Sequence, residues 1–151
     1  MPVIADVSHE GVRTPLSGAR IAATARAVLK AEGVTDALLS ITLLTPTAMA
    51  RLNRRHLAHR GPTDVISFGF DRTAAHGAVI GDIYICPAVA RANAVRARTG
   101  VREEVARLVV HGTLHVLGYD HPAGETREHS RMWQRQEALL AGDTRAVWSV
   151  S

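Results

Sequence analysis

His111, His115 and His121 constrain this chain more than any other feature. They stand in the run His111-Gly112-Thr113-Leu114-His115-Val116-Leu117-Gly118-Tyr119-Asp120-His121. Residues four apart lie one above the other on a helix, so a helical run stacks the rings of His111 and His115 on one face. Gly118 accepts a left-handed backbone without steric cost and can end that helix. The chain then turns and brings His121 back beside the other two. Three imidazoles meeting at one point leave a fourth position for water, the arrangement of a catalytic zinc rather than a structural one.

The rest of the predicted helix is apolar around the pair, with Val105, Leu108, Val109 and Val116. Buried imidazoles in such surroundings need a partner at each ring nitrogen. A metal supplies one, and a nearby carboxylate or carbonyl supplies the other. Asp120 and Asp82 are the candidates for that second role. A plainer reading, two core histidines bonded to local carbonyls, accounts for the pair but not for the glycine and the third histidine. Zinc is the first choice, with nickel or another imidazole-ligated metal as alternatives.

The spacing of these histidines resembles the metal run of the metzincin proteases. In zinc proteases the residue after the first histidine is a glutamate that deprotonates the water. Here it is Gly112, so a peptidase would need a base from elsewhere. Phosphodiester hydrolysis fits better. A metal offsets charge on the phosphorus oxygens, arginines hold the backbone, and in RNA the neighbouring hydroxyl can itself be the nucleophile.

Arginines are present in two groups. Arg51, Arg54, Arg55 and Arg60 cluster with His56 and His59, and Arg91, Arg96, Arg98 and Arg102 form the second group. The only lysine is Lys30, and the formal net charge is +4. A guanidinium fork suits phosphate contacts, so a nucleic-acid partner is compatible with this charge without being required by it. For the second group, a solvated helix face is the simpler account. Just beyond the first group comes Pro62-Thr63-Asp64-Val65-Ile66-Ser67-Phe68, which reads as a turn entering a strand.

With 151 residues, 46% of them hydrophobic and only 4% aromatic, the chain is long enough for a single domain, residues 1–151, whose core is built from Ala, Val, Leu and Ile. One cysteine, Cys86, rules out an internal disulfide and reads as a small buried hydrophobe. The residues after Met1 do not read as a secretion signal, and no stretch suits a membrane span, so a cytoplasmic location is expected.

Periodicity and punctuation predict an edge strand over 2–7 and a helix opened by Thr14-Pro15 and running over 16–30. A buried strand follows over 38–44, then a short helix from Thr45-Pro46 to residue 55 and strands over 65–70 and 79–85. Residues 71–77 read as a turn or loop. Helices are predicted from Pro87 to about 99, over 101–117, and from about 125 to 140 before Gly142. The fold class is α+β, α/β-like: three or four strands with about five helices, the histidine helix in the core.

The histidine run, with Gly112 in place of a protease glutamate, resembles the signature of the YbeY family, bacterial rRNA maturation factors described as single-strand-specific endoribonucleases. Leu52-Asn53, Pro62-Thr63-Asp64-Val65-Ile66-Ser67-Phe68 and Gly81-Asp82-Ile83-Tyr84-Ile85 resemble the same family in the same order. The resemblance implies a mixed four-stranded sheet with helices and one zinc per chain on His111, His115 and His121. It also implies a cytoplasmic enzyme that matures the 3′ end of small-subunit ribosomal RNA and serves ribosome quality control. The implied partners are ribosomal RNA, the small subunit, and a ribosomal protein or GTPase. One departure stands out. Family members carry Tyr-Arg where this chain has His56-Leu57, and the arginine is thought to assist cleavage. On that reading the catalytic set is His115 and Asp120, with Arg55 or Arg60 standing in for the missing guanidinium. The alternative is a metal-stabilised module that docks RNA or the ribosome with little or no catalysis.

Overall fold

The computed structural model describes residues 2–57, 61, 63–70, 77–119 and 130–149, with the backbone alone at Leu57. Their order is β1 (Val3–His9), α1 (Gly18–Ala31), β2 (Ala37–Leu43), α2 (Pro46–Leu57), β3 (Val65–Phe70), β4 (Val79–Ile85), α3 (Pro87–Ala97), α4 (Val101–Val116), α5 (Arg131–Ala141) and α6 (Arg145–Trp148). The strands form one mixed sheet in the order β1-β2-β4-β3, parallel except for the antiparallel β3–β4 pair. The α+β expectation and the mixed sheet hold, and the short α6 adds one helix to the predicted set. Among the described residues no helix is long and apolar enough to cross a membrane.

Alternation along the strands gives the sheet two unlike faces. Leu39, Ile41 and Leu43 of β2 and Ile83 and Ile85 of β4 point to one side and are fully buried. There they join Ile21, Val28 and Leu29 of α1 and Val105, Val109 and Leu114 of α4 in the main core. On the other side α2 covers one end of the sheet, where Leu44, Met49, Ile66 and Cys86 form a smaller cluster with Leu52, Phe68 and Tyr84 against it. The far end of that face stays open. Ile4, Leu38, Ile80 and Phe70 are paired neighbours across all four strands, and each is 42–55% exposed. The buried strand expected over 38–44 runs over Ala37–Leu43 and is buried except at Leu38 and Ser40, which are exposed.

Three glycines let α4 lie close to the sheet. A Cβ on Gly112 would sit 2.8 Å from Ile83 Cγ2, one on Gly81 2.5 Å from Val116 Cγ1, and one on Gly69 2.9 Å from the Val116 carbonyl oxygen. Thr45 caps α2 as expected, accepting from the Ala48 N–H at 3.1 Å. Thr14-Pro15 does not open α1. Ser17 is the N-cap and accepts from the Arg20 N–H at 3.3 Å, while Thr14 accepts from Leu16 one turn earlier. Leu16, just before the cap, and Ile21, in the first turn, are both fully buried in the main core, a hydrophobic staple that fixes the start two residues beyond the proline.

Candidate metal centre

α4 presents His111 and His115 on successive turns, their ring centroids 5.3 Å apart and their planes inclined at 57°. Both side chains are half-buried. The helix ends as the glycine predicted. Gly118 has φ +104°, its N–H donates to the His115 carbonyl at 3.0 Å, and the Tyr119 N–H donates to the Leu114 carbonyl at 3.1 Å. This paired closure is the Schellman motif. His121 and Asp120 lie outside the described residues. Among the described residues no group of three or more His, Cys, Asp or Glu side chains is placed to hold a metal ion.

The pair itself suits a metal. His111 Nδ1 lies 2.7 Å from Gln136 Oε1, and the Gln136 side-chain amide donates to Glu137 Oε2 at 2.9 Å. A carboxylate only accepts, so the amide NH2 must face Glu137 and the amide oxygen must face His111. His111 therefore donates from Nδ1–H, and its lone pair is on Nε2, the nitrogen a metal would take. Glu137 is held in turn by Arg107, whose Nε donates at 2.9 Å and whose Nη2 donates at 3.2 Å. Arg107 also bonds Glu104 at 2.8 Å and Glu103 at 3.3 Å. Burial works against its charge, but the hydrogen bonds to Glu137 and Glu104 prevail and raise its pKa above the ordinary value.

A second set of bonds steadies the chain where it leaves α4. The Tyr119 hydroxyl donates to Glu32 Oε1 at 2.5 Å, and Arg135 grips Glu32 Oε2 at 2.8 and 2.9 Å. The bond to Glu32, then burial, raises the Tyr119 pKa. Tyr119 thus ties α1 and α5 to the chain two residues before His121.

The other expected site residues are placed differently. Asp82 alternates with Gly81 and Ile83, which meet α4, so its side chain is on the opposite face and does not partner His111 or His115. At His111 Nδ1 the partner is Gln136, and the candidate Asp120 lies outside the described residues. Gln136 is only 1% exposed, and with Met132, Leu139 and Leu140 it forms the buried stripe of α5. A lone amide on an apolar helical stripe was the available signal for it. Gly112 points at Ile83, so a glutamate there would be driven into the sheet instead of toward a metal.

Arg51, Arg54, Arg55 and His56 are exposed on α2. The ring of His56 packs edge-on against Phe68 at 5.4 Å, on the face of the sheet away from α4. The structure thus brings His111 and His115 together and places Arg55 on the helix across the sheet. Leu57 ends α2, and Arg60 lies outside the described residues. Asn53, 4% exposed, donates to the Gly61 carbonyl at 2.9 Å and pins the far end of that connection to α2. A cleft of about 480 Å³, lined among others by Asp64, Asn93, Arg96, Arg107 and Glu137, abuts the Glu137 end of this network; neither histidine lines it.

The mixed sheet, with two histidines one turn apart on a helix that covers it and a hydrogen-bond chain behind one of them, is an α+β fold carrying a half-buried histidine pair. The comparisons give the family. The profile described as "Endoribonuclease YbeY" matches residues 8–142, and the chain belongs to that family. It is 40% identical to the endoribonuclease YbeY of Thermobifida fusca over 151 residues, 94% of this chain and 95% of that protein. Against the endoribonuclease YbeY of Mycolicibacterium paratuberculosis it is 39% identical, over 89% of this chain and 80% of the relative. A solution structure of a Thermotoga maritima protein shares the fold, with a TM-score of 0.63 at 22% identity, covering 97% of this chain and 92% of that one.

Proposed function

We propose that this protein is a zinc-dependent endoribonuclease for single-stranded RNA, acting in the cytoplasm on the 3′ end of small-subunit ribosomal RNA and in ribosome quality control. The observation that carries the metal part is the His111–His115 pair, with the His111 lone pair turned to Nε2 by Gln136. His111, His115 and His121 would hold the zinc, which supplies Lewis acidity and an activated water when bound. Asp120 would be the carboxylate partner of a ligating imidazole and, with His115, part of the catalytic set. Arg54, Arg55 and Arg60 grip phosphates of the strand, with no reading of sequence. The family membership supports the substrate class. Ribosomal RNA and the small subunit are the partners this reading requires, with a ribosomal protein or GTPase as protein partner.

Leu57, in the place of the family's arginine, favours a second reading in which the protein docks on ribosomal RNA and cleaves weakly or not at all. One experiment separates these. Purified protein is analysed for zinc and offered single-stranded ribosomal RNA, beside His115→Ala and His121→Ala. The enzyme reading expects about one zinc per chain, cleavage by the wild type, and loss of both in each variant. RNA binding without cleavage by the zinc-loaded wild type would favour the docking reading. Full zinc retention in His121→Ala would remove that residue from the ligand set.

A further inference from the structure

We infer that Gln136 is a positioning residue for the metal centre, and that Arg107, Glu137 and Gln136 form a directed relay whose task is to keep His111 as its Nδ1–H tautomer. The inference rests on the metal reading above and adds to it the group that sets the affinity of the first ligand.

Each link has one direction. Arg107 can only donate, so Glu137 receives its Nε–H and Nη2–H. Glu137 can only accept, so it receives the Gln136 amide as well. The amide oxygen is thereby left for His111, at 2.7 Å. A free glutamine could flip and offer N–H to His111 instead, which would favour the opposite tautomer and occupy the metal-binding nitrogen with a proton. The carboxylate behind Gln136 prevents that flip. The relay is also confined in space. Gln136 is 1% exposed, and Arg107 lies one turn before His111 on the same helix, so α4 carries both ends and α5 the middle. Glu103 and Glu104 hold Arg107 from the other side and leave its guanidinium aimed at Glu137.

A purely structural glutamine would stabilise the α4–α5 contact without regard to metal. The two roles part in zinc-free protein and in metal affinity. In wild type, long-range proton–nitrogen spectra of the zinc-free imidazoles should show His111 as the Nδ1–H tautomer. Gln136→Met, close in length and apolar, should lose that preference and bind zinc about 10–100-fold more weakly in chelator competition. The visible spectrum of the cobalt form should shift with it. The exchange Gln136→Glu with Glu137→Gln keeps an acceptor for His111, a donor between the two side chains and the same net charge. It should recover most of the lost affinity.

Zinc binding by Gln136→Met as tight as wild type overturns the inference. So does equal loss in Gln136→Met and in the exchange, since packing rather than the acceptor would then be responsible. Melting of the zinc-free variants identifies any that fail to fold, and the tautomer of His111 in wild type tests the relay without any variant. A wild type that shows the Nδ1–H tautomer yet binds no zinc leaves the relay standing as a tautomer lock and removes the metal reading instead.

Discussion

The two faces of the sheet are built on opposite terms. On the α4 face the backbones approach until Gly69, Gly81 and Gly112 leave no room for a methyl group, and the polar groups behind His111 are chained from Arg107 to Gln136. On the α2 face a small apolar cluster holds one helix whose arginines stand in solvent, and a row of four large apolar side chains is uncovered. One face fixes groups to within a hydrogen bond; the other offers charge and apolar surface without fixing it. Metal ligation needs the first kind of surface, and sequence-independent phosphate contact is satisfied by the second.

The largest effect should come from placing a protease-type glutamate on the rigid face. In Gly112→Glu the new Cβ meets Ile83 at 2.8 Å and a carboxylate is driven between helix and sheet. Overpacking and an unpaired buried charge together cost on the order of 4 kcal/mol or more, a large share of ordinary domain stability. Thermal unfolding should show a protein that is largely unfolded or melts far below wild type, with zinc lost as a consequence. A stable Gly112→Glu protein that gained peptidase activity would reverse the assignment of that position.

Leu57→Arg tests whether the loose face lacks a catalytic guanidinium. If cleavage wants a cation at the end of α2, the variant should cut single-stranded RNA about tenfold faster or more, with zinc content unchanged, because a cation beside the phosphate stabilises charge developing in the transition state. A folded variant with no gain would mean that cleavage does not draw on a guanidinium at the end of α2. Melting beside the cleavage assay shows whether the arginine is tolerated.

This contrast also marks what the sequence could and could not reveal. Strands over 65–70 and 79–85 were legible to the residue because β-branched and aromatic side chains recur there, with Gly61-Pro62 shortly before the first and Gly77 and Pro87 on either side of the second, and α4 was legible from Gly100 to Gly118. The start of α1 was not, since Thr14-Pro15 imitates a cap and only the burial of Leu16 beside Ile21 selects Ser17. His111 and His115 could be paired by local spacing. The pairing of His111 with Gln136 could not be read: Gln136 is 25 residues away in sequence and reaches His111 only because α5 packs on α4. Asp82 was attractive as a nearby carboxylate, but a period of two turns it to the other face.

Removing Arg54 and Arg55 together should have a smaller, graded effect. Both are exposed on α2. The double alanine variant should bind unrelated single strands several-fold more weakly, and the slope of log affinity against log salt should flatten by about 1.4 if both contact phosphates. An unchanged slope would make them a solvated helix face. Loss confined to one RNA sequence would mean base reading, which the exposed cluster was not expected to perform.

The smallest effect should be on the open end of the loose face, and Ile80 and Ile83 of β4 allow a direct test. They are three residues apart on one strand and point to opposite sides. Ile83 is fully buried against Gly112, while Ile80 is 42% exposed in the row Ile4-Leu38-Ile80-Phe70. Ile83→Ser removes core packing and buries a hydroxyl, a loss of about 3 kcal/mol or more. Ile80 is 42% exposed and packs only in part against Leu38 and Phe70, so Ile80→Ser should cost much less, on the order of 1 kcal/mol. The difference between the two is the measure of how unlike the faces are. If Ile80→Ser proved nearly as costly, something would have to cover that row in solution. A stability that then fell on dilution would point to a second copy of the chain, because only association makes stability depend on concentration. A cost that did not change on dilution would point to cover from within the same chain.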